Sequence, residues 1–123
     1  MNPIMMKKLL IILVVAITFT ACSKEKRVSI PPDVIPPEQM VPVLVDFHLA
    51  EAALAKAREA KRDVGQLSGH YYYSILKKHQ ITNKKFNVSL MFYSSNLKEL
   101  YLIYKDVITE LSTTQSRIVS RNK

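Results

Sequence analysis

Seven apolar residues near the C-terminus constrain this chain most. Leu97, Leu100, Tyr101, Tyr104, Val107, Ile108 and Leu111 fall on one side of a 3.6-residue period, and Lys98, Lys105, Asp106, Thr109 and Glu110 take the other. That pattern is an amphipathic helix. Such a stripe has to be buried against other elements, so the preceding residues must supply partner helices.

They do. Pro37 suits a first helical turn, where its missing N–H is no loss, and Glu38 follows where the helix dipole favours an acid. Met40, Val43, Leu44, Phe47 and Leu54 share a face, and Ala50 to Ala60 is rich in strong helix formers. This predicts a first helix from about Pro36 to near Arg62, with Pro42 as a place for an early kink. Gly65 and Gly69 are expected to bracket a loop before a second helix, His70 to His79, with Tyr72, Ile75, Leu76 and His79 on one side. Thr82 is placed to cap a third helix carrying Phe86, Leu90 and Tyr93. Asn96 and Glu99 have the spacing of a capping box for the last helix. The polar run after Ser112 is expected to fray. No strand-like alternation competes, so the expected fold is all-α, a small bundle of three or four helices over residues 36–116, followed by a basic frayed tail at 117–123.

The N-terminus reads as an address. Lys7 and Lys8 precede an apolar run of 11 residues, Leu9 to Phe19. That run is too short to span a bilayer, which takes roughly 20 apolar residues, and fits the core of a secretory signal. Phe19-Thr20-Ala21-Cys22 resembles a bacterial lipobox, with Phe19 in place of the usual Leu. Residues 1–21 are therefore expected to be cleaved and Cys22, the only cysteine, to be lipidated. A multiply acylated cysteine holds a membrane durably and has no thiol left for chemistry. Residues 22–35 are expected to form a flexible, Pro-ended tether, with Lys24, Lys26 and Arg27 beside the lipid.

This address changes the meaning of the charge. With 18 Lys+Arg against 10 Asp+Glu the chain carries a net +8 and a pI near 9.7, a balance that by itself suggests nucleic acid. Removal of residues 1–21 lowers the net charge to +6 and places the remainder outside the cytoplasm, so no nucleic acid is expected. Two glycines are too few for the glycine-rich phosphate loops, and one cysteine excludes an internal disulfide.

Few residues suggest chemistry. On the first helix His48 and Glu51 are three apart, and Glu51 falls near the middle of the apolar stripe. They are a candidate buried polar pair, since a buried carboxylate needs a partner. Tyr71, Tyr72 and Tyr73 point 100° apart, so not all three can enter one core. With Met91 and Phe92 they form a candidate interaction surface. The pairs Lys77-Lys78 and Lys84-Lys85 read as solvated helix ends. No nucleophile–base–orienter set can be assembled, no metal site is expected, and the only expected non-protein group is the lipid on Cys22.

Several of these segments together resemble a family of short Bacteroidota lipoproteins, domain of unknown function 4296. The resemblance spans Pro32 to Leu111. It is carried by Pro32-Asp33-Val34-Ile35-Pro36, Met40 and Leu44, Asp46-Phe47-His48-Leu49-Ala50-Glu51, and the Tyr-rich second helix. It continues in Phe86, Ser89-Leu90, Tyr93, and Leu100 to Leu111 with Ile103-Tyr104 and Val107. Where many relatives have His-Pro before the last helix, Asn96-Leu97 stands here. The resemblance implies an envelope lipoprotein and no catalytic residue.

The expectation is a non-enzymatic lipoprotein anchored on the periplasmic side of the envelope, in the outer membrane, whose helical domain binds another envelope protein. A chaperone-like, peptide-binding module is the first alternative. A metal or enzymatic site at His48 and Glu51 is the second.

Overall fold

The computed structural model describes residues 2–18 and 27–122, the side chains of 12–18 excepted. The whole lipobox, Phe19 to Cys22, and the tether residues Lys24 and Lys26 lie outside the described residues. Among the described residues there are five helices and no strand: α1 (Pro3–Thr18), α2 (Pro37–Glu59), α3 (Gly65–Lys78), α4 (Asn83–Ser94) and α5 (Leu97–Arg121). No described helix is long and apolar enough to cross a membrane. The described side chains of α1, Ile4 to Ile11, are exposed.

α2 is the centre of the bundle. It packs against α5 on one side and α3 on the other, and α4 rests on α5. The helix starts at Pro37, as its sequence demands, and runs through Pro42 without a break. Its buried residues Met40, Val43, Leu44, Leu54 and Ala57 face inward, and Val45 is buried as well because α2 has neighbours on two sides. An aromatic trio joins three helices: the Phe47 ring stacks on Phe86 at 5.1 Å and lies 5.6 Å from Tyr72, whose ring meets Phe86 edge-on at 6.2 Å.

The helix ends explain why so few glycines suffice. α2 and α3 both close with the backbone pattern of a Schellman motif. Arg62 N donates to Ala57 O and Lys61 N to Arg58 O; Ile81 N donates to Leu76 O and Gln80 N to Lys77 O. The residues in the left-handed region are Lys61 and Gln80, each with φ 56°, where glycine is usual. Ile81 then packs on the core, the hydrophobic contact that accompanies the motif. Gly65 and Gly69 have no positive φ and are not loop hinges. They belong to the first turns of α3, which therefore starts at Gly65, earlier than the expected His70. Asp63 Oδ1 accepts the Gly65 N–H at 2.9 Å and satisfies one of the open donors at that end. α4 begins as expected, with Thr82 Oγ1 accepting from Lys85 N at 3.2 Å.

Two expectations about the ends of the domain are corrected. The last residues of the expected tether belong to the core, since Val34 and Ile35 are buried. They hold because the segment is strapped to α4: Ile35 N donates to Ser89 Oγ at 2.8 Å, and the Tyr93 hydroxyl donates to Ile35 O at 2.7 Å. Two apolar residues between prolines show no periodicity, so the sequence carries no sign of this burial. At the other end, the polar run after Ser112 continues as helix to Arg121 and does not fray at 117.

Burial, aided by the charges of Glu99 and Glu38, pushes the Tyr93 hydroxyl up from 10 to about 12. A raised folded value means the strap's contribution is complete below pH 10 and is lost as pH rises through about 12. Tyr93→Phe leaves the Ile35 carbonyl without its partner and should lower stability by about 1–2 kcal/mol. In urea titrations followed by circular dichroism, its stability should also decline less than the parent's above pH 10. Gln80→Gly relieves the left-handed strain and should stabilise by roughly 1 kcal/mol in the same assay.

Candidate functional site

His48 and Glu51 do not form a buried pair. Both are exposed. The His48 ring meets the edge of Tyr104 on α5 at 5.9 Å, and no hydrogen bond joins it to Glu51 among those of the described residues. Glu51 lines a groove between α2 and α3 with Phe47, Leu54, Ser68, Gly69 and Tyr72. Two of the α3 residues lining this groove, Ser68 and Gly69, are small, and a side chain added at Gly69 would meet nothing within 4 Å. The helical wheel placed Glu51 on the right face, but burial requires a neighbour large enough to cover it.

The carboxylate with partners on α2 is Asp46. Its Oδ2 accepts from Lys78 Nζ at 2.7 Å and lies 2.6 Å from His79 Nε2. These contacts tie the middle of α2 to the end of α3. Burial works against ionisation of Asp46, but the hydrogen bonds and charges of Lys78 and His79 outweigh it and hold the carboxyl below its ordinary 3.8. Asp46 also stands at the end of an apolar groove of about 310 Å³ lined by Leu49, Ala50, Ala53, Tyr71 and Ile75.

Among the described residues the buried carboxylate is Glu99, 2% exposed. Its Oε1 has no hydrogen-bond partner among the described residues. The expected capping box is not formed: the Asn96 amide donates back to Phe92 O at 2.7 Å and makes no cap bond to α5. Glu99 instead sits in phase with Ile103 and Val107, four and eight residues on, and these three are the buried residues of α5. That phase is visible in the sequence and was the signal for Glu99.

The candidate interaction residues separate. Tyr72 is half-buried in the aromatic trio, and its hydroxyl donates to Asn83 Oδ1 at 2.7 Å. Phe92 packs edge-on against Tyr93, 5.3 Å away, beside the core. Tyr71 lines the groove next to Asp46. Tyr73 and Met91 are exposed on different helices, and Tyr73 lies 5.9 Å beneath Lys77 Nζ.

A continuous exposed apolar face lies elsewhere. On α5, Leu97, Tyr101, Tyr104 and Ile108 project outward, although the sequence pattern marks them as core. The bundle buries only the adjacent side of the helix, through Glu99, Ile103 and Val107 with Leu100 and Leu111 beside them. Among the described residues α5 thus has two apolar faces, and the bundle packs against one of them. Among the described residues no group of three or more His, Cys, Asp or Glu is gathered that could hold a metal ion.

The lowered Asp46 value has a measurable consequence. A depressed carboxylate stabilises the fold above its unfolded value and loses that contribution as pH falls through the folded one. Asp46→Asn should reduce stability at pH 7 by about 1 kcal/mol, since Lys78 is largely solvated. The difference from the parent should shrink as pH falls below about 4. Thermal unfolding at pH 7 and pH 3 measures both arms.

No curated protein and no solved structure matches the chain. The model of a domain of unknown function, DUF4296, matches residues 31–117. That span begins at the strap, includes Asp46 and Glu99, and ends on the last helix. The chain belongs to the DUF4296 family.

Proposed function

We propose that this protein is a non-enzymatic lipoprotein of the Bacteroidota envelope, anchored through Cys22 on the periplasmic side of the outer membrane, and that its helical domain is a protein-interaction module. The observation that carries the interaction role is the outward face of α5. Leu97, Tyr101, Tyr104 and Ile108 lie along one line of a helix whose other apolar side is already packed. Contiguous exposed apolar surface on a domain this small marks a partner site, and tyrosine is the residue type enriched where partners bind.

The anchor reading rests on the sequence. Lys7 and Lys8, the apolar run to Phe19 and the single cysteine after Thr20-Ala21 have the order of a lipoprotein signal. The strap at Val34 and Ile35 starts the packed domain about a dozen residues after Cys22, which keeps the bundle within roughly 40 Å of the bilayer.

Mass spectrometry of the membrane fraction should find a chain beginning at an acylated Cys22. An unmodified Met1 in the soluble fraction would overturn the anchor. In the same cells a photo-crosslinking residue at Tyr101 should give one discrete adduct, and one at Asp106, on the opposite side of α5, none. Absence of any adduct at Tyr101 would remove the interaction role.

A further inference from the structure

We infer that the outward face of α5 is a helix-pairing seam whose occupant is the α5 of a second copy of this chain. This deepens the interaction reading and rests on it. The first ground is spacing. Leu97, Tyr101, Tyr104, Ile108, Leu111, Gln115 and Ile118 follow one another in alternating steps of four and three residues. Leu111, half-buried against the core, and Tyr104, whose edge meets His48, lie where this line borders the packed side, and the others stand clear of it. That is the heptad seam of a coiled coil, sustained over three repeats and holding one polar residue, Gln115. The seam is offset by about 120° from the face that packs on the rest of the bundle, so both are served by one helix. A lipid surface would reward an apolar stripe of any phase. It gives no reason for a 4–3 alternation that continues past the bundle.

The second ground is the length of α5. Beyond Leu111 the helix runs on to Arg121, and in that stretch only Thr114 is half-buried. Ser112, Thr113, Thr114, Ser116 and Ser120 are middling helix formers. These turns extend a helix already nucleated in the bundle, so only propagation is at stake, and Ser and Thr propagate a helix weakly. Among the described residues nothing packs along them, and a companion helix would hold them. A second copy presents the same overhang, and a two-fold pairing covers both at once.

The third ground is area. Leu97 is 72% exposed, Tyr101 68%, Ile108 62%, Ile118 56%, Val119 53% and Tyr104 39%. With Val119 beside the seam, their exposed parts, backbone included, come to roughly 700 Å², close to the roughly 800 Å² that each partner gives to a standard interface. Gln115, inside the seam, adds the remainder.

Ile108 lies near the middle of the seam, so Ile108→Cys tests self-pairing whichever way the two helices run. In the full chain expressed in membranes, a thiol crosslinker should convert most of the Ile108→Cys protein to a band of twice the mass and leave Asp106→Cys monomeric. A second variant, Tyr101→Glu with Ile108→Glu, should raise the dimer dissociation constant in detergent by at least about tenfold in sedimentation equilibrium, with its helical circular dichroism retained. Persistence of monomer at all concentrations would overturn the proposal. So would crosslinking of Ile108→Cys only to a different protein. The parent chain controls for the anchor: a Cys22 that reacts with the crosslinker signals failure of the lipidation reading, independently of what Ile108→Cys does.

Discussion

The rest of the fold depends on how Tyr93 holds the chain before α2. Its ring is fully buried, and its hydroxyl and Ser89 together take both backbone groups of Ile35. A buried amide and carbonyl without partners would each weaken the fold by about 1–3 kcal/mol, so these two bonds let Val34 and Ile35 enter the core. They also set where α2 begins. With Ile35 pinned on α4, Pro36 and Pro37 launch the central helix from a fixed point, and α2 can meet α3 on one side and α5 on the other. Ser89 Oγ is itself anchored, donating to Lys85 O at 2.7 Å, so the strap is tied into the first turn of α4.

α2 then divides the molecule. On the α3 side the joins are specific: Asp46 binds Lys78 and lies against His79, and Phe47 enters the trio with Tyr72 and Phe86. On the α5 side the join is apolar, through Ile103 and Val107, with the carboxylate of Glu99 buried beside them. A helix held along one edge keeps its other edge free. This is why the outward line of α5 is the surface on which the interaction and pairing proposals both rest. The grooves between α2 and α3 include charged groups in their lining, Asp46 and Lys78 in one and Glu51 in the other.

Much of this was legible in the chain. The 3.6-residue period marked four helices after residue 36, and Thr82 marked a start that the structure keeps. Phe86, Tyr93 and Val107 were legible as core, whereas Ile103, also buried, falls outside the stripe that the sequence pattern marks. The candidate site was less so. Glu51 has the phase of a buried residue but is exposed, in an open groove that it lines with Ser68, Gly69 and Tyr72. Glu99 passed for a capping residue because Asn96 stands three places before it, yet its side chain points along the line of Ile103. Tyr72 and Phe92 passed for surface because adjacent aromatics cannot all point inward, and nothing local says which of them do.

By itself the sequence determined that the chain is helical and where three of its helices meet their turns. These are local properties: they follow from propensity, period and the order of a few neighbouring residues. Only the tertiary structure decided which apolar face of α5 is covered, which carboxylate is buried, and that the residues before Pro36 belong to the core. Those outcomes depend on what arrives from a distant part of the chain. Ile35 is satisfied by residues 54 and 58 positions away, and no window along the sequence contains both ends of that contact.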